Sequence, residues 1–289
     1  MKQVAPLRYD VIFKKAFGDL DVFKALVRDF LNIKLEISKV ESEKAFIPPV
    51  GSVDTRFDLF AEDEKNRVIV EVQHRHYSDA YERFLYYQCS AMVETVRSSK
   101  DYCFPVTVIT LVFFTGKKTP SPDNNILVHD FEVRDLNGEV VENLYGHKHL
   151  LFFVFTNSVS KNTPKKTSEW IRAIDDSLDE EVNENDYKNP NIKRLFELIE
   201  KDQITPEERA RMKDEYSQGE LEKKGFDEGK EIGFDDGYGE GKEDGIKEGK
   251  DEGRKEGKIE TARNLKALGI SEEQIASATG LSLDEVRAL

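Results

Sequence analysis

Two acids in successive apolar runs carry the chemistry this chain could do. Asp58 follows Arg56 and Phe57 in one strand-like stretch, and Glu71 lies within Val70-Glu71-Val72-Gln73 in the next. In an extended strand alternate residues share a face, so Glu71 and Gln73 point the same way as Ile69. If Asp58 belongs to the antiparallel neighbour, its carboxylate meets that of Glu71. The pair, with the Val72 carbonyl and waters, then makes an all-oxygen site suited to Mg²⁺ or Mn²⁺. Such a cation polarises a phosphodiester and lowers the pKa of a bound water. The alternative is a pair of solvated carboxylates at strand ends. Against it, Glu71 sits between Val70 and Val72, where a carboxylate is costly without a cation or a partner.

Positioning these acids requires a hairpin. Three β-like runs, Ile37–Ile47, Val53–Ala61 and Arg67–Gln73, follow one another, and Pro48-Pro49-Val50-Gly51 separates the first two. The turn Glu62–Asn66 is short enough to make the last two an antiparallel pair. Ahead of them, Asp10–Gly18 and Val22–Leu31 have the apolar spacing of two amphipathic helices that break near Gly18-Asp19. Asp79–Arg97 predicts a long helix, and Pro105–Phe114 a central strand buried on both faces. Ile126–Val133 and His149–Phe155 are further strands with a turn at Asn137-Gly138, and Trp170–Leu178 and Ile192–Glu200 are helices. This order predicts a mixed α/β domain over residues 1–200.

The chain has 289 residues, of which 35% are charged, and a net charge of −14. Residues 1–200 hold 27 Lys and Arg against 33 Asp and Glu, and residues 201–289 hold 16 against 24. An acidic protein is a poor general polyanion binder, although a local basic face or a bound cation overrides the net charge. Cys89 and Cys103 lack metal-ligand spacing and are expected as thiols in a reducing cytoplasm. No run is long enough to span a bilayer, so the expectation is a cytoplasmic protein with no membrane contact.

From Gly225 to Gly257 glycine recurs nine times at a spacing of four, among mostly charged residues. Each interior glycine weakens a helix by roughly 1 kcal/mol against alanine. Charge pairs four apart return only ~0.2–0.5 kcal/mol each. Residues 201–258 are therefore read as a charged helical or flexible spacer, with self-association of the chain through it as the rival reading. Residues 259–289 read as short helices with helix-turn-helix-like spacing: Ala262–Leu268, then helices capped by Ser271 and Ser282. The last holds Asp284, Glu285 and Arg287, a poor set for reading base edges, which favours a structural or protein-contacting module.

The run Asp10–Gly18 (DVIFKKAFG), the helix end Phe30-Leu31-Asn32, Phe57-Asp58-Leu59 and Ile69-Val70-Glu71-Val72-Gln73 together resemble the PD-(D/E)XK nuclease family of transposases, also called recombination-promoting nucleases. The helix Tyr81–Tyr87 (YERFLYY) and the Gly-rich tail with Gly269–Ala276 (GISEEQIA) fit the same pattern. The resemblance implies a restriction-endonuclease-like core, a mixed central sheet flanked by helices, that cleaves DNA with Mg²⁺. Asp58 and Glu71 would be metal ligands, Gln73 the third member of the motif, and Asp10 a hydrogen-bond partner of a metal water or a helix cap. Arg83 and Tyr87 would lie on the helix behind the site, Tyr87 chiefly as core, and Arg56, Arg75 and Arg83 are candidate phosphate contacts. The proline of the nominal motif is absent before Asp58. Gln73 stands where many such nucleases carry lysine; being neutral, it can orient a water but is neither a base nor a cation. A one-metal or substrate-assisted mechanism and modest activity follow.

The expectation is thus a Mg²⁺-dependent DNA endonuclease tied to a mobile element or recombination. Its alternative is a weak or inactive nuclease-fold scaffold that self-associates through its tail. His74 and His76, and His147 and His149, lack zinc partners and are read as surface histidines.

Overall fold

The computed structural model describes residues 1–46, 55–74, 80–96, 102–116, 118–121, 123–142 and 146–289; the side chains of residues 80, 226–248, 251, 252 and 254 lie outside that description. In chain order the elements of the first unit are β1 (Lys2–Gln3), α1 (Asp10–Phe17), α2 (Leu20–Leu31), β2 (Glu41–Phe46), β3 (Thr55–Glu62), β4 (Asn66–Gln73), α3 (Ala80–Glu94), β5 (Thr107–Phe114), β6 (Ile126–Asp130), β7 (Leu150–Phe155), α4 (Lys165–Ser177), β8 (Glu181–Val182) and α5 (Pro190–Leu198). A long helix α6 (Pro206–Ala267) and two short ones, α7 (Glu272–Thr279) and α8 (Leu283–Arg287), complete the chain. The expected separator at Pro48–Gly51 falls outside the described residues.

Six strands form one mixed sheet in the order β2-β3-β4-β5-β7-β6. The hairpin expected from the short turn is present, with β3 and β4 antiparallel. From β4 the chain crosses over through α3 and returns as β5, parallel to β4, and β5 is also parallel to β7. That double parallel pairing explains the unbroken apolar character of β5, whose residues Val108–Phe114 are all buried.

The two faces of the sheet carry different helices. Ile12, Phe13, Ala16 and Phe17 form the inward stripe of α1 and join Leu59, Val70 and Phe113 in a core shared with α2, α4 and α5, with Trp170 fully buried among them. Asp19 caps α2 by accepting from Asp21 N and Val22 N, which fixes the break between the two helices. On the opposite face α3 lies over Phe57, Phe60, Ile69 and Val112. It is pinned there by two buried polar bonds, from Gln88 to the Val108 carbonyl at 3.0 Å and from Arg67 to the Ala91 carbonyl at 2.8 Å, and by a partly buried one from Arg67 to Glu94 at 2.6 Å. Removing one partner of such a bond would leave the other buried and unpaired.

The chain divides into two units, Met1–Gly219 and Glu220–Leu289, and α6 runs from the first into the second. Ala262–Leu268, expected as a separate short helix, is instead continuous with α6, which ends at Ala267. In the second unit Ala262, Ile275, Leu281 and Val286 make a small core. Ser282 and Glu285 form a reciprocal capping box, and Gly269 and Gly280 end their helices at φ 79 and 70, the left-handed region that favours glycine. Among the described residues no helix is long and apolar enough to cross a membrane, and neither Cys89 nor Cys103 forms a disulfide.

Candidate active site

The site lies where the pairing between β3 and β4 stops. β3 and β4 are in register from Glu62↔Arg67 to Leu59↔Val70, and β2 and β3 are in register on both sides of Asp58 but not at it. Asp58 therefore belongs to neither ladder. Its N–H donates instead to Glu71 Oε1 at 3.1 Å, and its Oδ2 accepts the Val72 N–H at 3.1 Å. Side chains take over the work of backbone pairing at this point.

Strict alternation also breaks here. Phe57 and Phe60 both pack in the cluster beneath α3, while Asp58 turns toward α1. There Lys14 Nζ lies 3.4 Å from Asp58 Oδ1 and 2.7 Å from Asp10 Oδ2, and it also pairs with Glu43. Glu43 stands across from Asp58 on β2 with φ 57, a conformation that a non-glycine side chain adopts only at a cost. One ammonium, 14% exposed, thus holds three carboxylates.

Glu71 and Gln73 follow Ile69 onto the α3 face and are nearly sealed, at 4% and 6% exposed. Burial drives the Glu71 carboxyl well above the usual carboxylate range, and the charge on Asp58 adds to this. Burial, reinforced by Asp10, raises Asp58 to about 6, while Lys14 and the Val72 N–H pull it back down. Both carboxyls are thereby shifted toward their protonated forms. For Lys14, burial works against the charge, but Asp58, Asp10 and Glu43 outweigh it and its pKa rises. Lys14 in turn holds Glu43 below the ordinary range.

Gln73 Oε1 accepts from the Arg83 guanidinium, which lies over the Phe84 ring at 4.8 Å from its centroid. Tyr87, one turn on, packs edge-on against Phe57 at 5.6 Å and Phe84 at 6.0 Å. Burial and then the charge of Glu71 raise its hydroxyl. The end of β4 is fixed from β5: Thr115 N–H donates to the Gln73 carbonyl at 3.0 Å, and His74 Nδ1 is 3.0 Å from Thr115 Oγ1. Gly116 is required there, because a Cβ would collide with the His74 carbonyl.

Of the residues singled out in the sequence, the structure brings Asp58, Glu71, Val72, Gln73, Asp10 and Arg83 to this strand end. Asp10 has no side-chain cap of its own helix end; its N–H donates to Glu215 Oε2 at 3.0 Å, and its Oδ1 is buried without a partner. Arg56 is exposed and reaches Glu43 at 3.4 Å. Arg75 and His76 lie outside the described residues. Lys14 and Glu43 were not anticipated; the one available signal was the spacing of four between Asp10 and Lys14 on α1. His149 is corrected from surface to buried: its Nδ1 accepts the Val108 N–H at 3.0 Å, and burial, with His147, lowers its pKa to about 4.

Among the described residues no group of three or more His, Cys, Asp or Glu is arranged to hold a metal ion. Asp58 and Glu71 make a two-carboxylate set, and oxygen is the only donor type they and Asp10 offer, which fits a hard divalent cation completed by waters and substrate oxygens. The orphaned Asp10 Oδ1 fits a water in that shell.

A six-stranded mixed sheet flanked by helices, with paired acids at the open end of a hairpin and an α-helical crossover beside it, is the architecture of a PD-(D/E)XK nuclease core. The family of PD-(D/E)XK nuclease transposases matches residues 7–225, and the chain belongs to it. Membership supports nuclease activity linked to mobile elements, on DNA, in a class that generally uses divalent metals. Among curated proteins and among solved structures, none matches the chain.

Proposed function

We propose that this protein is a Mg²⁺- or Mn²⁺-dependent DNA endonuclease that acts in the cytoplasm in recombination or the movement of a mobile element. The observation that carries the reading is the Asp58–Glu71 pair, cross-bonded through the Asp58 and Val72 N–H groups where the β3–β4 ladder ends. A divalent cation bound there would polarise the scissile phosphodiester and acidify its water.

Asp58, Glu71 and the Val72 carbonyl would hold the cation. Asp10 would accept a hydrogen bond from a coordinated water through Oδ1. Gln73, held by Arg83, would orient the attacking water without taking its proton. Arg56, Arg75 and Arg83 would contact DNA phosphates. Residues 1–200 would form the nuclease domain, 201–258 a spacer and 259–289 a small helical module.

Supercoiled plasmid incubated with wild type and with Asp58→Asn and Glu71→Gln in Mg²⁺ tests this. Nicking by wild type alone is the expected result. Metal-dependent nicking that survives both substitutions would displace the site, and no nicking under any divalent metal would favour the scaffold reading. For self-association, sedimentation of the full chain is compared with a chain ending at Gly219; an unchanged oligomeric state removes the tail from that role.

A further inference from the structure

The acids at this site pose an electrostatic problem that a single divalent cation does not solve. Asp10, Glu43, Asp58 and Glu71 face one strand end, and a DNA phosphate must approach them while negative charge builds on its oxygens during hydrolysis. Gln73 offers no charge. Among the described residues the cation in contact with Asp58 is Lys14, from α1. Its position is fixed from three sides: Asp10 at 2.7 Å one turn earlier on the same helix, Glu43 on β2, and Asp58 on β3 at 3.4 Å. The helix under it is held in turn by Glu215, which caps the Asp10 N–H, and by Glu208, 2.8 Å from Lys15. A cation so placed needs little rearrangement when substrate arrives.

We propose that Lys14 is a catalytic residue of the nuclease: its ammonium, delivered from helix α1, neutralises a non-bridging oxygen of the scissile phosphate. The inference rests on the endonuclease reading above. In the reaction a water oxygen bonds to phosphorus and a phosphorus–oxygen ester bond breaks. The water's proton passes to solvent, and the leaving oxygen takes up a proton. Lys14 transfers no proton; it holds charge while Asp58 and Glu71 hold the metal. On substrate binding the ammonium keeps Asp58 and exchanges the more exposed Glu43 for phosphate.

Lys14→Met, Lys14→Arg and Asp58→Asn are compared with the full-length wild type in three measurements: steady-state nicking in Mg²⁺, Mn²⁺ affinity by calorimetry, and thermal unfolding. The expected result is a kcat about a hundredfold lower for Lys14→Met, the size of losing one charge-stabilising donor. Its KM should stay within about threefold, its Mn²⁺ affinity should be unchanged or tighter, and Lys14→Arg should recover at least tenfold. Lys14→Met nicking at the wild-type rate or faster, with Asp58→Asn inactive, overturns this proposal alone; Lys14 would then merely fill the acidic pocket until metal arrives. Loss of Mn²⁺ binding and a lowered melting temperature in both Lys14 variants overturns it in favour of a scaffolding role. No nicking by wild type overturns it together with the reading on which it rests.

Discussion

Glu71 Oε1 accepts the main-chain N–H of Asp58 at 3.1 Å, so the more buried of the two acids also holds the other in place. The bond separates the structural duty of Glu71 from its ionisation. Glu71→Gln keeps the acceptor and removes a carboxyl whose charge burial opposes. Its melting temperature at pH 7–8 should equal or exceed that of wild type, with Mn²⁺ binding and nicking lost. Glu71→Ala leaves the Asp58 N–H unpaired and should cost about 1–3 kcal/mol in urea unfolding.

Metal binding should depend on pH through the same pair. Asp58 in the folded, metal-free protein titrates at about 6, raised from its ordinary value, so the proton competes with the cation up to that point. A raised carboxyl favours the protonated fold: its contribution to stability is full below the unfolded pKa, near 4, and is lost as pH rises through about 6. Binding of the cation works in the opposite direction. Calorimetric Mn²⁺ affinity should therefore rise from pH 5 to 7, and in Asp58→Asn the rise should shrink. A flat profile over that range would contradict the assignment of Asp58 as a ligand.

Arg83 orients Gln73 through its guanidinium while lying over Phe84. Arg83→Met keeps the stem and removes the donor. Nicking should fall by about 10–100-fold, the usual cost of losing a residue that positions a ligand-shell side chain, with thermal unfolding changed little. An equal loss of stability and activity would make Arg83 a packing residue.

The boundary of the working unit can be tested by truncation. A chain ending at Gly219 retains Glu208 and Glu215 and should nick like the full protein. A chain ending at residue 205 loses the cap on α1 and the Lys15–Glu208 pair. It should be less stable by about 1 kcal/mol or more, with reduced nicking. Equal behaviour of the two would show that α6 has no part in holding α1.

Much of the scaffold was legible because local chemistry decided it. The apolar, β-branched residues of Thr107–Phe114 required a central strand, Asp19 marked the start of α2, and the short turn after Glu62 placed Asp58 beside Glu71. What sequence spacing did not reveal arises from packing between distant segments. Lys14 reaches Asp58 because α1 packs against β3, and neither residue's neighbours announce it. Glu43 adopts a left-handed backbone without the glycine or asparagine that usually signals one. His149 is buried because a main-chain N–H on β5 needs an acceptor, and two alternating histidines carry no trace of that.

The cap on α1 has a consequence for how the protein is made. Asp10 waits for a partner 205 residues downstream, Leu7 N–H bonds to Ser177 Oγ, 170 residues away, and β1 pairs with β8. A chain emerging from the ribosome therefore contains Asp58 and Glu71 well before the segment that caps α1 has been made. The contacts that cap α1 are thus complete only when the last turns of the first unit have been made.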